Sequence, residues 1–319
     1  MDKIDVIAAG DLPAKTLAAL DEAFAVNRWG HAAPISSEFA ARVRGIARGH
    51  FAIDAKLIDG LPRLEIIANF GVGYDGIDLA ACAARGIVVT NTPDVLTEEV
   101  ADTTLGLLLM TVREFSAAER HLRAGKWASE GPYRLTPATL RDRTVGIVGL
   151  GRIGMALARR LDAMRVPVVY HNRTRRDDVP YRHYADIKEM AAAIDTLISV
   201  LPGGVDTEKL IDADVFRALG SRGIFVNIGR GSVVDEPALI AALKDGTIHA
   251  AGLDVFASEP NVPAELMALP NAVLLPHVGS ASLFTRDAMG QLCVDNLTSW
   301  FTSGHPLTPV PETPWPSRT

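Results

Sequence analysis

Cysteine is scarce. The 319-residue chain carries Cys82 and Cys293 and no others, too few for a disulfide framework, and neither has a partner at metal-ligand spacing. A reducing compartment, two buried structural thiols and no metal site are expected. Long apolar runs are also missing: the most apolar stretch, around 103–112, is about half a membrane span. Charge of one sign does not dominate, since 38 acids against 32 bases leave a formal net charge of -6. No global field therefore draws the chain to nucleic acid or to an anionic membrane, and any basic function must be local. The N-terminal MDKIDVIAAGDLP begins as a strand, without the basic start and apolar stretch of a signal peptide. A cytoplasmic protein is expected.

What is present is ordinary globular material: 48% apolar and 22% charged residues, enough for one large or two medium domains. Short apolar strands alternate with helical patterns. IDVIAAG precedes a helix over 13–25, LEIIANF a helix over 77–85, and GIVVTNTP follows. Such alternation predicts a parallel sheet with crossover helices, here one α/β unit to about Asp94. From Thr97, TEEVADTTLGLLLMTVREFSAAERHLRAGKW has an acidic first turn and apolar residues at helical spacing. It predicts one long helix, apolar all round in its middle, serving as a bridge between domains and part of a subunit contact. A second series follows: TVGIVGL, VPVVY, TLISVLP, GIFVNI, HAAGLDVF and AVLLPHV are strand candidates. A last helix is expected over about 285–300, and then a proline-rich tail extended along the surface.

Strand TVGIVGL runs into Gly149-Leu150-Gly151-Arg152-Ile153-Gly154 and then a helix-compatible segment. In that setting the first glycine permits the tight turn, the second lets backbone approach a pyrophosphate, and the third lets helix and strand pack closely. A tight turn with no ligand is the competing explanation, but a glycine at each of these positions gives up backbone entropy that an ordinary turn need not. A dinucleotide is expected.

The next strand ends in VPVVYHNRTRR. At this place an acid grips the 2'-hydroxyl of NAD, whereas arginine accommodates the 2'-phosphate of NADP. Asn172 occupies the acid's position, Arg173 can pair bidentately with phosphate oxygens, Thr174 offers a hydroxyl, and Arg175 adds a second cation. NADP(H) is expected as the preferred cofactor and NAD(H) as a weaker one. A merely solvated basic turn is the alternative, with Asp177 and Asp178 tempering the charge.

Three later segments, VNIGRGSVVDEPAL, AGLDVFASEP and LLPHVGSAS, end on polar residues where a strand should stop. Together with NFGVGYDGID and GLGRIG they stand in the order of the D-2-hydroxy-acid dehydrogenase family, which the chain resembles over nearly all of its length. Within it, the cationic turn and the length most resemble the NADPH-dependent glyoxylate/hydroxypyruvate reductases. The resemblance implies two Rossmann-like, doubly wound parallel-sheet domains: a flavodoxin-like substrate domain over 1–98 and 286–319, and an NAD(P)-binding domain over 99–285. It also implies a homodimer.

The resemblance further implies that His277 is the acid/base, Glu259 its partner and Arg230 the substrate anchor. Elementary chemistry agrees, because reducing a ketone requires hydride at carbon and a proton at oxygen, and histidine is the side-chain type suited to proton delivery near neutrality. A carboxylate beside it would favour imidazolium and orient the ring. An arginine can grip a carboxylate and orient the adjacent carbonyl. The family pattern also sets the backbone of Val72 and Gly73, with His277 and Arg230, against a small 2-oxo acid, and Thr104, Pro202, Thr207, Asp254 and Gly279 near the cofactor. The remaining histidines, among them His31, His171 and His305, are expected at the surface or in packing. Leu283 and Phe284 stand where many relatives carry an acid, which predicts a more apolar pocket mouth.

The expected reaction is reduction of glyoxylate to glycolate and of hydroxypyruvate to D-glycerate. A broader dehydrogenase acting on 2-ketogluconate or arylpyruvates is a second possibility, and a dinucleotide-sensing co-regulator a third.

Overall fold

The computed structural model describes residues 3–30, 35–313 and 315. The chain divides into two compact units, one of Met1–Leu96 with Ala281–Thr319, the other of Thr97–Ser280. Each is built on a parallel sheet, of five strands in the first unit and seven in the second. Both are α/β, as alternating strand and helix patterns require.

The first sheet comprises β1 (Asp5–Ala9), β2 (Ala25–Trp29), β3 (Gly45–Arg48), β4 (Ile66–Asn69) and β5 (Val88–Thr90), in the order β2-β1-β3-β4-β5. That is the flavodoxin-like order. β3, β4 and β5 are buried along their whole length, as strands covered on both faces must be. Asp54 and Asp78 cap the helices Ala55–Asp59 and Leu79–Ala84, accepting from Leu57 N at 2.8 Å and Ala81 N at 2.9 Å. Pattern reading missed β2 and β3. The first is an edge strand with exposed Asn27 and Arg28; the second ends on a cation, Arg48, which is buried and donates to Phe51 O and Asn69 Oδ1. The tail does more than run along the surface. Asn91 N donates to Thr308 O at 3.2 Å, Val310 N to Val89 O at 2.9 Å, and Val89 N to Thr313 Oγ1 at 3.0 Å. It thereby covers the free edge of β5, a place where proline is tolerated.

The second sheet comprises β6 (Val145–Val148), β7 (Val168–His171), β8 (Arg182–Tyr184), β9 (Thr196–Ser199), β10 (Ile224–Asn227), β11 (Ala250–Leu253) and β12 (Ala272–Leu274). Its order, β12-β11-β10-β9-β6-β7-β8, is the dinucleotide-binding order with one added strand. Alternate residues serve opposite faces: Val148, Leu197, Phe225 and Ala251 enter one core, and Ile147, Ile198, Val226 and Ala250 the other. Burial of each larger apolar side chain contributes about 1.5–3 kcal/mol. The missed strand here, β8, is three residues long and largely polar.

The expected single helix from Thr97 is three: Thr97–Val112, Phe115–Arg123 and Lys126–Glu130. Glu114, at φ 53°, and Gly125, at φ 71°, are left-handed and break it. Helical periodicity continues within each piece, which hides the breaks from a pattern. The Glu114 carboxylate accepts from Tyr133 OH at 2.7 Å and Arg134 Nη2 at 2.6 Å, closing the neck of an arm on which Phe115, Leu122, Trp127 and Leu135 are exposed. The helix Thr97–Val112 is the first element of the second unit. It lies on β11, where a Cβ on Gly252 would strike Thr111 and crowd Leu107.

Cys82 and Cys293 are free and buried, and desolvation pushes each thiol up to about 12. Both are inert at neutral pH. No helix among the described residues is long and apolar enough to cross a membrane, and no group of side chains among them could hold a metal ion.

Candidate active site

Most residues assigned from the sequence within the second unit lie at the carboxyl ends of its strands, where ligands of such sheets bind. The loop after β6 turns at Gly149, whose φ of 99° excludes most side chains. A Cβ on Gly154 would run into the Gly149 carbonyl, while one on Gly151 would meet nothing within 4 Å. The third glycine thus serves packing and the second leaves backbone open. Gly151 also begins the helix Arg152–Ala163 without a side-chain cap, whereas Asp186, Asp212 and Asp235 cap the helices after them. Amides at an uncapped helix start suit an anion, so this loop fits a pyrophosphate. Leu150 is buried, and the exposed residues after it are Gly151 and Arg152.

Asn172 directly follows β7, and its Oδ1 accepts from Leu150 N at 2.7 Å. The acid's position is therefore used to hold the glycine loop. Arg173 is 88% exposed and reaches Asp206 at 3.2 Å; Thr174 is exposed; Arg175 pairs with Asp177 at 3.2 Å. Exposed pairs of this kind are weak and leave both cations available to a phosphate. Arg176, which the sequence did not single out, is the anchor: its Nη1 donates to Leu150 O at 2.8 Å, and its N donates to Tyr170 OH at 2.8 Å. Tyr170 OH donates in turn to Arg176 O at 3.1 Å, and His183 Nε2 lies 3.0 Å from Asn172 O. Residues 173–175 thus form a cationic finger pinned at both ends. The only linear hint was a tyrosine two residues before the asparagine.

At the other side of the sheet, His277 follows β12 with φ 52°, an uncommon conformation for a non-glycine residue. Its Nδ1 lies 2.7 Å from Glu259 Oε2. Glu259 Oε1 accepts from Phe256 N at 3.1 Å. Burial pushes the Glu259 carboxyl up, but the hydrogen bond and charge of His277, the Phe256 amide and the charge of Arg230 outweigh it, and the net shift is downward. Asp254, buried after β11, accepts from Val278 N at 2.7 Å and Gly279 N at 2.8 Å. It holds the histidine loop from below, and burial keeps its carboxyl above the ordinary value despite the two amides. Arg230 follows β10, with Nη1 donating to Gly229 O at 2.9 Å. A Cβ on Gly231 would overlap the Phe256 backbone, so glycine is what lets the arginine loop lie against the Glu259 loop.

The other assigned residues differ in exposure. Thr104 is fully buried and its Oγ1 donates to Val100 O at 2.6 Å, leaving only lone pairs to offer, while neighbouring Thr103 Oγ1 donates to Gly279 O at 3.2 Å. Thr207 Oγ1 donates to Pro202 O at 2.8 Å within its own loop. Val72 and Gly73 follow β4 in the first unit, half-buried. Leu283 and Phe284 are 86% and 84% exposed. His171 and His305 pack against Tyr184 O and the Trp315 ring; His31 lies outside the described residues.

The chain is similar to known proteins. Residues 105–279 match the family model described as D-isomer specific 2-hydroxyacid dehydrogenase, NAD binding domain. The chain is 48% identical to glyoxylate/hydroxypyruvate reductase A of Arabidopsis thaliana over 81% of this chain and 82% of that one. It is 44% identical to hydroxyphenylpyruvate reductase of Plectranthus scutellarioides, over 83% and 84%. Among solved structures it resembles an NADPH-dependent glyoxylate/hydroxypyruvate reductase from Sinorhizobium meliloti, in complex with NADP and malonate, at 51% identity and a TM-score of 0.96 over 100% of both chains. The family match, a dinucleotide-binding sheet order and a histidine-carboxylate pair at the carboxyl end of that sheet converge: this chain belongs to the D-isomer specific 2-hydroxyacid dehydrogenases.

Proposed function

We propose that the protein reduces small 2-oxo acids with NADPH, taking glyoxylate to glycolate and hydroxypyruvate to D-glycerate. The observation that carries this reading is the 2.7 Å contact between His277 Nδ1 and Glu259 Oε2, which fixes the orientation of the ring that proton delivery requires. NADPH held at the glycine loop supplies the hydride. The uncapped amides after Gly151 hold its pyrophosphate, Arg173 and Thr174 its 2'-phosphate, with Arg175 adding charge. Asp254, Gly279, Pro202, Thr207 and Thr104 line the remainder of its site. Arg230 grips the substrate carboxylate together with the amides of Val72 and Gly73, and so orients the ketone. His277 delivers the proton to the ketone oxygen while Glu259 fixes the ring and compensates its charge.

Residues 1–98 and 286–319 act as the substrate domain and 99–285 as the dinucleotide domain. The exposed apolar arm around Phe115, Leu122 and Trp127 supports a homodimer, since contiguous exposed apolar groups mark interaction surfaces. The protein works in the cytoplasm.

A second reading, reduction of arylpyruvates, is favoured by the exposed Leu283 and Phe284 and by the similarity to hydroxyphenylpyruvate reductase. The deciding experiment is kcat/KM for glyoxylate, hydroxypyruvate, 2-ketogluconate and an arylpyruvate, each with NADPH and NADH. Preference for the two small acids with NADPH is expected. Higher kcat/KM for the arylpyruvate replaces the first reading by the second, and no turnover with any acid overturns both.

A further inference from the structure

The loop after β4 is tied down by its carbonyls. Asn69, buried at 1% exposure, donates from Nδ2 to Gly71 O at 2.9 Å and Gly73 O at 3.1 Å. Thr92 N also donates to Gly71 O, at 3.0 Å. Asn91 Nδ2 donates to Val72 O at 2.9 Å. Three consecutive carbonyls are thus held by donors from the body of the first unit. A trans peptide is planar, so a held carbonyl fixes the direction of the next residue's N–H. The amides of Val72 and Gly73 are oriented in this way, and neither donates to any group among the described residues.

Asn91 is itself held by the C-terminal tail. Its N donates to Thr308 O at 3.2 Å, and Thr308 Oγ1 donates to Asn91 O at 2.6 Å. Thr308 is held in turn by Asn296 of the helix Leu283–Ser303: Nδ2 donates to Thr308 Oγ1 at 2.9 Å, and Oδ1 accepts from Thr308 N and Leu307 N at 3.0 Å. Asn296 is fully buried. On the other side, the Arg48 guanidinium donates to Asn69 Oδ1, polarising that amide toward the carbonyls it serves. Gly76 leaves the room for it, because a Cβ there would collide with Arg48 Nη2.

We infer that Asn91, backed by Thr308, is a positioning residue for the substrate carboxylate: with Asn69 it aims the Val72 and Gly73 amides and so sets affinity for the 2-oxo acid. The inference rests on the assignment of those amides to the carboxylate made above. Its signature is a change in substrate affinity without one in cofactor binding, because this network lies within the first unit whereas the glycine loop and the cationic finger belong to the second.

The test measures, for wild type, Asn91→Ala, Thr308→Val and Arg230→Ala, the KM and kcat for glyoxylate, the Ki of oxamate as a non-reducible mimic, and the Kd of NADPH. Asn91→Ala is expected to raise KM and Ki about tenfold, with kcat changed about twofold at most and NADPH binding unaltered. Thr308→Val, one hydrogen bond further out, is expected to raise both about threefold and remains informative should Asn91→Ala fold poorly. An oxamate Ki unchanged in both folded variants overturns the inference, while Arg230→Ala still raising KM keeps the functional reading standing. Wild type that neither turns over glyoxylate nor binds oxamate overturns both.

Discussion

The ends of β12 and β7 belong to one sheet, yet they are built on opposite plans. At β12 the chemistry is enclosed: His277 and Glu259 are each about 30% exposed, Asp254 holds the loop through two amides, and Glu259 is held by Phe256 N. At β7 the charges are outside, with Arg173 and Asp206 at 88% and 81% exposure, and the rigidity lies beneath them in Tyr170, Asn172 and Arg176. Proton transfer requires a group held to a fraction of an ångström, which burial and hydrogen bonding provide. The phosphate recognition proposed for the finger requires positive charge that solvent can reach, and Arg173 is exposed while Arg176 is held.

The largest test of this contrast is His277→Gln, which retains a polar side chain but cannot donate the proton in the same way. Turnover should fall about 10²–10⁴-fold with NADPH binding unchanged, as stopped-flow titration would reveal. Loss of cofactor affinity instead would dissolve the distinction between the two ends. Arg173→Ala should act in the opposite sense, lowering kcat/KM for NADPH about 10–100-fold and that for NADH about twofold at most. Equal losses with both cofactors would remove the phosphate assignment.

Tyr170→Phe asks whether the pinning matters apart from the charge. It deletes both hydrogen bonds to Arg176 while leaving every cation in place, and the NADPH-over-NADH ratio should drop about fivefold. An unchanged ratio would mean that the finger holds itself. The smallest effect concerns the Glu259 carboxyl, whose pKa is lower in the folded protein than its ordinary value. Its contribution to stability is full above the unfolded carboxyl's pKa of about 4.3 and is lost as pH falls through the lower folded value. The midpoint of thermal unfolding should therefore separate wild type from Glu259→Gln by about 2 °C at pH 7, and the gap should close toward pH 3.

Much of the fold was legible because fully buried parallel strands are short apolar runs between helices. β4, β6, β9 and β10 announce themselves in this way. β2 and β8 do not, being edge strands that expose polar residues and are placed in a sheet by their hydrogen bonds. The break at Glu114 was hidden because a left-handed glutamate leaves no mark in periodicity. Its cause, the clamp to Tyr133 and Arg134, comes from residues about one arm's length later in the chain. In the finger, the exposed cations were readable as a local cluster, whereas Arg176 looked like one more of them.

The order of glycines, the asparagine in an acid's place and the Arg, Glu and His motifs are properties of neighbouring residues, and the linear sequence determined them alone. Which side chains brace those motifs was decided by tertiary structure. Asp254 under the histidine loop and Thr308 behind Asn91 are joined to what they brace by hydrogen bonds that span 25 and 217 residues of chain. Such bonds depend on distance in space, and distance along the chain carries no record of it.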